Sequence, residues 1–257
     1  MITNRRWDNF LDVIYPPVCL LCGNLSEGKY PHCCSKCRNE FHPIIEGYCT
    51  TCGIPFPVPD TPHSCLECIR KRPPFEWCRG LYLFSGRMSE AVHALKYGRK
   101  LSLAEVLKDA VAEAVSSMDI PHFDAVVPVP VSTWRLMKRG FNQAALLASP
   151  VADYHDVPLL NNALSRRGAK PQVGLEKAQR DENVKGAFYT GRDHKKLSGN
   201  RVLLFDDVYT TGATVRECCK VLKAAGAVPL VLTLARAGQD QSFGHVGVDM
   251  TISGQYF

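Results

Sequence analysis

Val202-Leu203-Leu204-Phe205-Asp206-Asp207-Val208-Tyr209-Thr210-Thr211-Gly212-Ala213-Thr214 is the stretch that decides the fold of this 257-residue chain. An apolar run too short for a helix delivers two acids and then a turn of small, hydroxyl-bearing residues. That turn opens a helical pattern over 213–225. The pattern is a buried strand feeding a helix, the repeating unit of a parallel α/β sheet. In such sheets ligands gather at the carboxyl ends of the strands. The backbone N–H groups of the 210–214 turn, its hydroxyls and the start of the helix together suit a phosphate dianion. Thr210, Thr211, Gly212, Ala213 and Thr214 are therefore the candidate phosphate ligands. Asp206 and Asp207 would repel a phosphate, so they make sense as acceptors for sugar hydroxyls or as holders of a magnesium ion. G-x-G-x-x-G and G-x4-G-K-[ST] are both absent, which argues against a Rossmann or P-loop nucleotide site. A negative capping patch with no ligand is the bland alternative.

Working outward, the same alternation recurs. GLYLFSG (80–86), FDAVVPVP (123–130), RVLLFDDV (201–208) and VPLVLTLAR (228–236) read as strands. Residues 88–117, 140–154 and 213–225 read as helices. Residues 161–199 lack clear periodicity and are rich in Arg, Lys, Gln and Asn, which marks a basic insertion over the active face rather than core. This part of the chain, 75–257, is expected to be one α/β domain.

The region before it is built differently. Of twelve cysteines, eight form C-x2-C pairs: Cys19/Cys22, Cys34/Cys37, Cys49/Cys52 and Cys65/Cys68. The gaps between pairs are 11, 11 and 12 residues. Two such turns complete one tetrahedral thiolate site, so the four pairs predict two closed, structural Zn2+ sites. Sequential pairing puts Cys19, Cys22, Cys34 and Cys37 on one ion and Cys49, Cys52, Cys65 and Cys68 on the other; interleaved pairing stays open at this level. Cys33 is the spare, and His32, His42 and His63 are bystanders. Disulfides would need an oxidising compartment, and a redox C-x-x-C would not be repeated four times. The zinc replaces a core that about 60 residues of ribbon could not build alone. The ribbon is expected over 18–74, closed by Pro73–Pro74. Before it, Trp7, Phe10, Leu11 and Ile14 lie on one face of an amphipathic helix over 1–17.

Composition excludes several classes. Apolar residues make up 46% and charged residues 22%, which rules out a disordered, collagenous or coiled-coil chain. No stretch approaches the length a membrane span needs, and the N-terminus is interrupted by Asp8 and Asp12, unlike a secretion signal. The expectation is a cytoplasmic protein, with a peripheral place at the inner membrane as its furthest extension. The formal charge of +6 falls to about +2 once two thiolate-bound zinc ions are counted. Nucleic-acid binding must therefore be argued from where the cations sit, not from their number.

The 202–214 string resembles the phosphoribosyl pyrophosphate (PRPP) motif of type I phosphoribosyltransferases. Residues 124–130 with Arg135 and Arg139-Gly-Phe-Asn-Gln, together with Leu95-Lys96-Tyr97, resemble the ComF family of phosphoribosyltransferase-like proteins. So do Arg166, Gln172, Leu175, Arg180, Asn183, Gly186 and Phe188, spaced along the insertion. The likeness runs from about residue 18 to 236 and includes the double zinc ribbon. It implies a type I phosphoribosyltransferase-like parallel sheet flanked by helices, preceded by a small double zinc ribbon. It implies PRPP as ligand with Mg2+, the two acids on the ribose hydroxyls and catalytic if turnover occurs, and the 5′-phosphate in the loop. The loop holding Val129 and Pro130 matches the family's pyrophosphate loop, with Arg135, Arg139 and Arg180 as anion ligands. The family includes competence proteins and GntX-like relatives, so the resemblance implies single-stranded DNA as a partner, and a competence helicase or inner-membrane DNA channel beside it. Lys96, Arg99, Lys138, Arg166, Arg167 and Lys185 are the nucleic-acid candidates, interleaved with Tyr97, Phe141, Phe188 and Tyr209. No acceptor pocket is spelled out, and Cys19 sits in a zinc pair rather than as an amidotransferase nucleophile. A phosphoribosyltransferase with an unknown acceptor is the alternative function.

Overall fold

The computed structural model describes residues 17–26, 32–56, 61–98, 100–168 and 184–238. The expected N-terminal helix lies outside these, as do Arg99 and Arg180. The strands are β1 Cys78–Leu83, β2 Ala125–Pro128, β3 Leu164–Arg166, β4 Phe188–Thr190, β5 Arg201–Tyr209 and β6 Val228–Arg236. The helices are α1 Ser35–Asn39, α2 Leu66–Arg70, α3 Gly86–Tyr97, α4 Ser102–Ser116, α5 Thr133–Arg139, α6 Gln143–His155 and α7 Ala213–Ala224.

The apolar runs form a four-stranded parallel sheet in the order β1-β6-β5-β2. Leu203, Leu204, Phe205, Leu230, Val231 and Leu232 are fully buried. Both faces are covered, so these strands carry continuous apolar runs rather than alternation. α4 packs on α6 and α6 on β2 and β5, while α7 packs on β4, β5 and β6. Burying a side chain such as Phe205 contributes about 1.5–3 kcal/mol. Because all four strands are parallel, Pro128, Tyr209, Arg236 and Leu83 end at the same edge.

One expected helix is split, at a glycine. The 88–117 pattern breaks at Gly98, where a Cβ would lie 2.8 Å from the Ala94 carbonyl oxygen. The 140–154 pattern is one helix, α6, and the short α5 precedes it where no helix was expected. Gly140 ends α5 in the left-handed region (φ 84°) and donates its N–H to Leu136 O at 2.7 Å. Asn142 then caps α6, its side chain accepting from Ala144 N–H at 3.1 Å. Within α6, Pro150 has no N–H for the Leu146 carbonyl, and Ser149 Oγ supplies the donor at 3.0 Å. The 161–199 segment also differs from expectation. β3 and β4 pair antiparallel, and Ala163, Leu164, Val184, Phe188 and Leu197 are buried. Its described ends therefore belong to the core.

The ribbon is joined to the sheet along the edge strand. Pro43 forms an antiparallel bridge with Tyr82. Leu83 N–H donates to His42 O at 2.8 Å and Ile44 N–H to Leu81 O at 2.9 Å. This satisfies backbone groups that an open edge would leave to solvent.

Candidate functional site

The zinc ligands pair sequentially. The sulfurs of Cys19, Cys22, Cys34 and Cys37 lie within 4.8 Å of one another, and so do those of Cys49, Cys52, Cys65 and Cys68. Tetrahedral Zn–S bonds of about 2.3 Å require sulfurs about 3.8 Å apart. Cys22 to Cys34 is 3.7 Å and Cys52 to Cys65 is 3.9 Å. Each first knuckle turns the same way: Gly23 (φ 77°) donates to Cys19 O and Gly53 (φ 68°) to Cys49 O, both at 2.9 Å. The N–H groups of Cys52 and Cys65 point at Cys49 Sγ, 3.4 and 3.2 Å away. Burial raises the Cys49 thiol, but these donors and the Thr51 N–H bring it down to about 6. Cys19 reaches about 6 by the same opposition. A four-thiolate set with N–H donors fits Zn2+ and leaves no open position. Cys33 is buried outside both clusters, and burial pushes it up to about 12. His63 stacks on Phe56 at 4.3 Å.

The second constellation sits where β5 meets α7. Thr210 and Thr211 follow the end of β5, and Gly212 (φ 76°) precedes the first turn of α7. Thr211 Oγ1 accepts from Ala213 N–H at 3.4 Å. Residues 208–215 with Asp206 enclose a small cavity of 40 Å³. A Cβ at Gly212 would lie 2.2 Å from the Tyr209 hydroxyl, so the close approach of loop and ring requires glycine. The first N–H groups of α7 have no helical acceptor, which leaves the loop able to receive an anion.

The two acids are held differently. Asp207 pairs with Lys96 from α3 at 2.8 Å, with side chains only 14% and 19% exposed. Asp206 accepts from the Asp207 N–H at 2.9 Å. Burial first, and then the Asp207 charge, push Asp206 up to about 7 against the pull of Lys96, the Asp207 N–H and Arg166. Asp206 shares its pocket with Thr210, Thr211 and Thr214, a set of oxygen donors of the kind Mg2+ accepts.

The remaining expected residues are spread over neighbouring elements. Val129 N–H donates to Phe205 O at 2.8 Å, and Asn142 Nδ2 donates to Val129 O at 3.1 Å. The Val129–Pro130 loop is thus tied to β5 and to the α6 cap. Arg135, Lys138 and Arg139 lie on α5. Lys138 sits 5.1 Å over Trp134, and Arg139 sits 5.3 Å over Tyr97 of α3. Arg166 on β3 lies 5.1 Å over Phe188, and burial lowers its pKa. Arg167 lies over Tyr189 at 5.7 Å, and Lys185 is exposed.

Sequence reasoning missed Arg236. It ends β6, is 3% exposed, and stacks 3.7 Å over the Tyr209 ring. Its Nη2 lies 3.5 Å from the zinc ligand Cys52 Sγ. One guanidinium therefore links the second ribbon to the tyrosine packed against Gly212. The available signal was a lone arginine closing the otherwise apolar run VPLVLTLAR.

Comparison with known proteins bears on both parts. The model of the family described as "Double zinc ribbon domain" matches residues 10–69. "DNA utilization protein YhgH" of Salmonella typhi is 31% identical over 217 residues, 82% of this chain and 93% of that protein. "Competence protein F" of Haemophilus influenzae is 30% identical over 226 residues, 85% of this chain and 96% of that protein. "Competence protein ComFC" of Bacillus subtilis is 27% identical over 215 residues, covering 79% and 84%. Among solved structures, the glutamine PRPP amidotransferase of B. subtilis aligns with a TM-score of 0.40 and 16% identity, covering 56% of this chain and 30% of that one. The adenine phosphoribosyltransferase of Thermoanaerobacter pseudethanolicus aligns with a TM-score of 0.33 and 15% identity, covering 54% and 82%. Likenesses at this level carry no functional weight.

Proposed function

The chain belongs to the family of competence protein F and DNA utilization protein YhgH, and from that premise we propose that it is a PRPP-binding, zinc-stabilised protein that handles incoming single-stranded DNA in the cytoplasm during natural transformation. The observation that carries the PRPP reading is the Thr210–Thr214 loop at the head of α7, preceded by Asp206 and Asp207 at the end of a central strand. PRPP has a 5′-phosphate, two ring hydroxyls and a diphosphate. The loop N–H groups and hydroxyls suit the first, and the two carboxylates suit the second. Arg135 and Arg139, after the Val129–Pro130 loop, would offset the charge of the third. Mg2+ supplies further charge neutralisation when bound, and Asp206 and Asp207 are the residues that would hold it or the ribose. Lys96 compensates the Asp207 carboxylate beside the anion site. The names "competence" and "DNA utilization" belong to the relatives; they support the DNA reading here by kinship. Among the described residues no helix is long and apolar enough to cross a membrane.

A second reading, transfer of the phosphoribosyl group to an acceptor, has one observation in its favour. Asp206 lies near neutrality, where a carboxyl can exchange a proton with substrate.

Calorimetric titration of Mg-PRPP into the zinc-loaded protein tests the first reading. Binding is expected for the wild type and not for the Asp206→Ala/Asp207→Ala double variant. Thr211→Ala should weaken it by about 1.5–3 kcal/mol through loss of a hydrogen bond to a charged group. No heat from the wild type, or unchanged affinity in both variants, would remove the PRPP assignment. Release of pyrophosphate on addition of candidate acceptors, absent in the double variant, would establish the second reading.

A further inference from the structure

Behind the phosphate loop, the second ribbon and α7 face each other across a cleft of about 1260 Å³. Its lining runs from Thr210 and Thr211 at one end of α7 to Lys223 and Ala227 at the other. The helix is twelve residues long, about 18 Å at its usual rise. The space is therefore a groove, larger than the roughly 300–1000 Å³ of a small-molecule pocket.

Both walls carry the same sign. Arg216, Lys220 and Lys223 stand at i, i+4 and i+7 of α7, which places them on one helix face. Arg70, Lys71 and Arg72, where α2 leaves the ribbon, line the other wall. The acids of the groove are Glu67, Glu76 and Glu217, and two of these are already engaged. Glu76 pairs with Arg201 at 3.0 Å. Glu217 pairs with Lys220 and accepts from Gly186 N–H. Arg70, Lys71, Arg72, Arg216 and Lys223 have no ion-pair partner among the described residues. Arg236 lines the groove too, and its Nε and Nη1 are buried without an acceptor. Two walls of like charge, unpaired but for Lys220, repel each other across the groove until a polyanion lies between them. The aromatic residues of the lining, Phe75 and Tyr209, are themselves buried. A ligand would be held by its phosphates, with its bases turned outward and no sequence preference.

We propose that this groove is the track for the sugar-phosphate backbone of single-stranded nucleic acid, gripped between Arg70–Arg72 and the Arg216/Lys220/Lys223 face of α7. This rests on the reading that the protein handles single strands, and it specifies where. The cations that the sequence singled out are on other elements; the groove brings together cations of a ribbon and a helix far apart in the chain.

The test is fluorescence anisotropy of a labelled 20-nucleotide thymidine oligomer with the full zinc-loaded chain across a salt series. Two variants each strip one wall: Arg70→Gln/Lys71→Gln/Arg72→Gln and Arg216→Gln/Lys223→Gln. A third, Trp134→Ala/Met137→Ala, alters the exposed apolar surface of α5 instead. Zinc content and the melting curve of each report its folding, and PRPP affinity reports its phosphate loop. Either wall variant should weaken binding about tenfold or more and flatten the salt dependence by about 0.7 in slope for each phosphate no longer neutralised. The α5 variant should bind as the wild type does. If the wild type binds no oligomer, the DNA reading falls and the groove falls with it. If the wild type binds and the wall variants bind equally well, the groove alone is overturned; weakening confined to the α5 variant would move the strand there. If duplex DNA or inorganic polyphosphate matches the oligomer and is weakened by the same variants, the commitment to a single strand is overturned.

Discussion

The two zinc ribbons share a ligand pattern and a turn geometry but are attached to the rest of the protein in different ways. The first is reached by long side chains: Lys100 Nζ donates to Leu20 O at 3.1 Å and Arg87 Nη1 to Leu21 O at 3.2 Å. Arg38, on its short helix, pairs with Glu113 of α4 at 2.7 Å. The second is attached at the backbone. A Cβ on Gly53 would lie 2.6 Å from the Cys78 carbonyl oxygen of β1. Arg79 of the same strand stacks over Tyr48 and donates to Thr50 O at 3.2 Å. Cys52 itself meets Arg236, which stacks on Tyr209 beside the Thr210–Gly212 turn. The first ribbon is tethered to the sheet domain, whereas the second lies directly against its strands β1 and β6. A duplicated motif is therefore not attached in a duplicated way, and what separates the two is how closely each backbone approaches the sheet.

The strongest test of that asymmetry removes one site at a time. Cys22→Ser/Cys34→Ser and Cys52→Ser/Cys65→Ser should each lower the zinc content from two ions per chain to one. Only the second should reach the phosphate loop. Without the Cys52 thiolate, the Arg236 guanidinium is left buried beside Tyr209 with a partner missing. Breaking a buried charged pair in this way costs on the order of 3–5 kcal/mol. The expected outcome is a lower melting temperature for the sheet domain and weaker PRPP binding in the second variant, with PRPP affinity in the first within about twofold of wild type. Equal losses in both would show that the two ribbons are attached alike.

Asp206 sharpens the comparison from the sheet side, because its environment comes from β5 and its neighbours rather than from a ribbon. Its ordinary value of 3.8 is raised to about 7, first by burial and then by Asp207. The folded state therefore holds the proton more tightly than the unfolded chain does. The associated stability is fully present below about pH 4 and is lost as pH rises through about 7. In melts between pH 4 and 8, Asp206→Asn should lack this loss and gain on the wild type above neutrality. A constant difference across that range would show that Asp206 does not titrate there. If the gain survives removal of the second zinc site, Asp206 is set by the strand alone; if it shrinks, Arg236 and the ribbon contribute to the field around it.

Much of this arrangement was legible because it is local. The C-x2-C spacing identified every zinc ligand, and β6 was readable to its ends, since continuous apolar runs admit few alternatives. The acids and threonines of 206–214 are contiguous and needed no folding to be recognised as one unit. The helix break at Gly98 was not legible, because apolar spacing continues on both sides while the turn depends on local closeness of the backbone. The described ends of 161–199 are held by tertiary burial of Leu164, Phe188 and Leu197, which leaves little periodic trace over three-residue strands. Arg236 was hidden for a simpler reason: its partner Cys52 is 184 residues away. Its meaning comes only when two separately readable regions are brought together.

The smallest effect probes the tether of the first ribbon. Arg38 and Glu113 make a short ion pair, but the Glu113 side chain is 74% exposed. Solvent screens such a pair, so Glu113→Gln should cost only about 0–1 kcal/mol and leave both zinc sites filled. Arg38 would keep its place over the Phe41 ring, 5.1 Å from its centroid, and Phe41 would keep its edge-on contact with Tyr82 of β1. That apolar seam, rather than the ion pair, then accounts for the docking. The check is a denaturation curve with zinc content measured alongside, at low and at high salt. A loss well above 1 kcal/mol, insensitive to salt, would mean that the first ribbon is integrated as tightly as the second, and the contrast between them would rest on Arg236 alone.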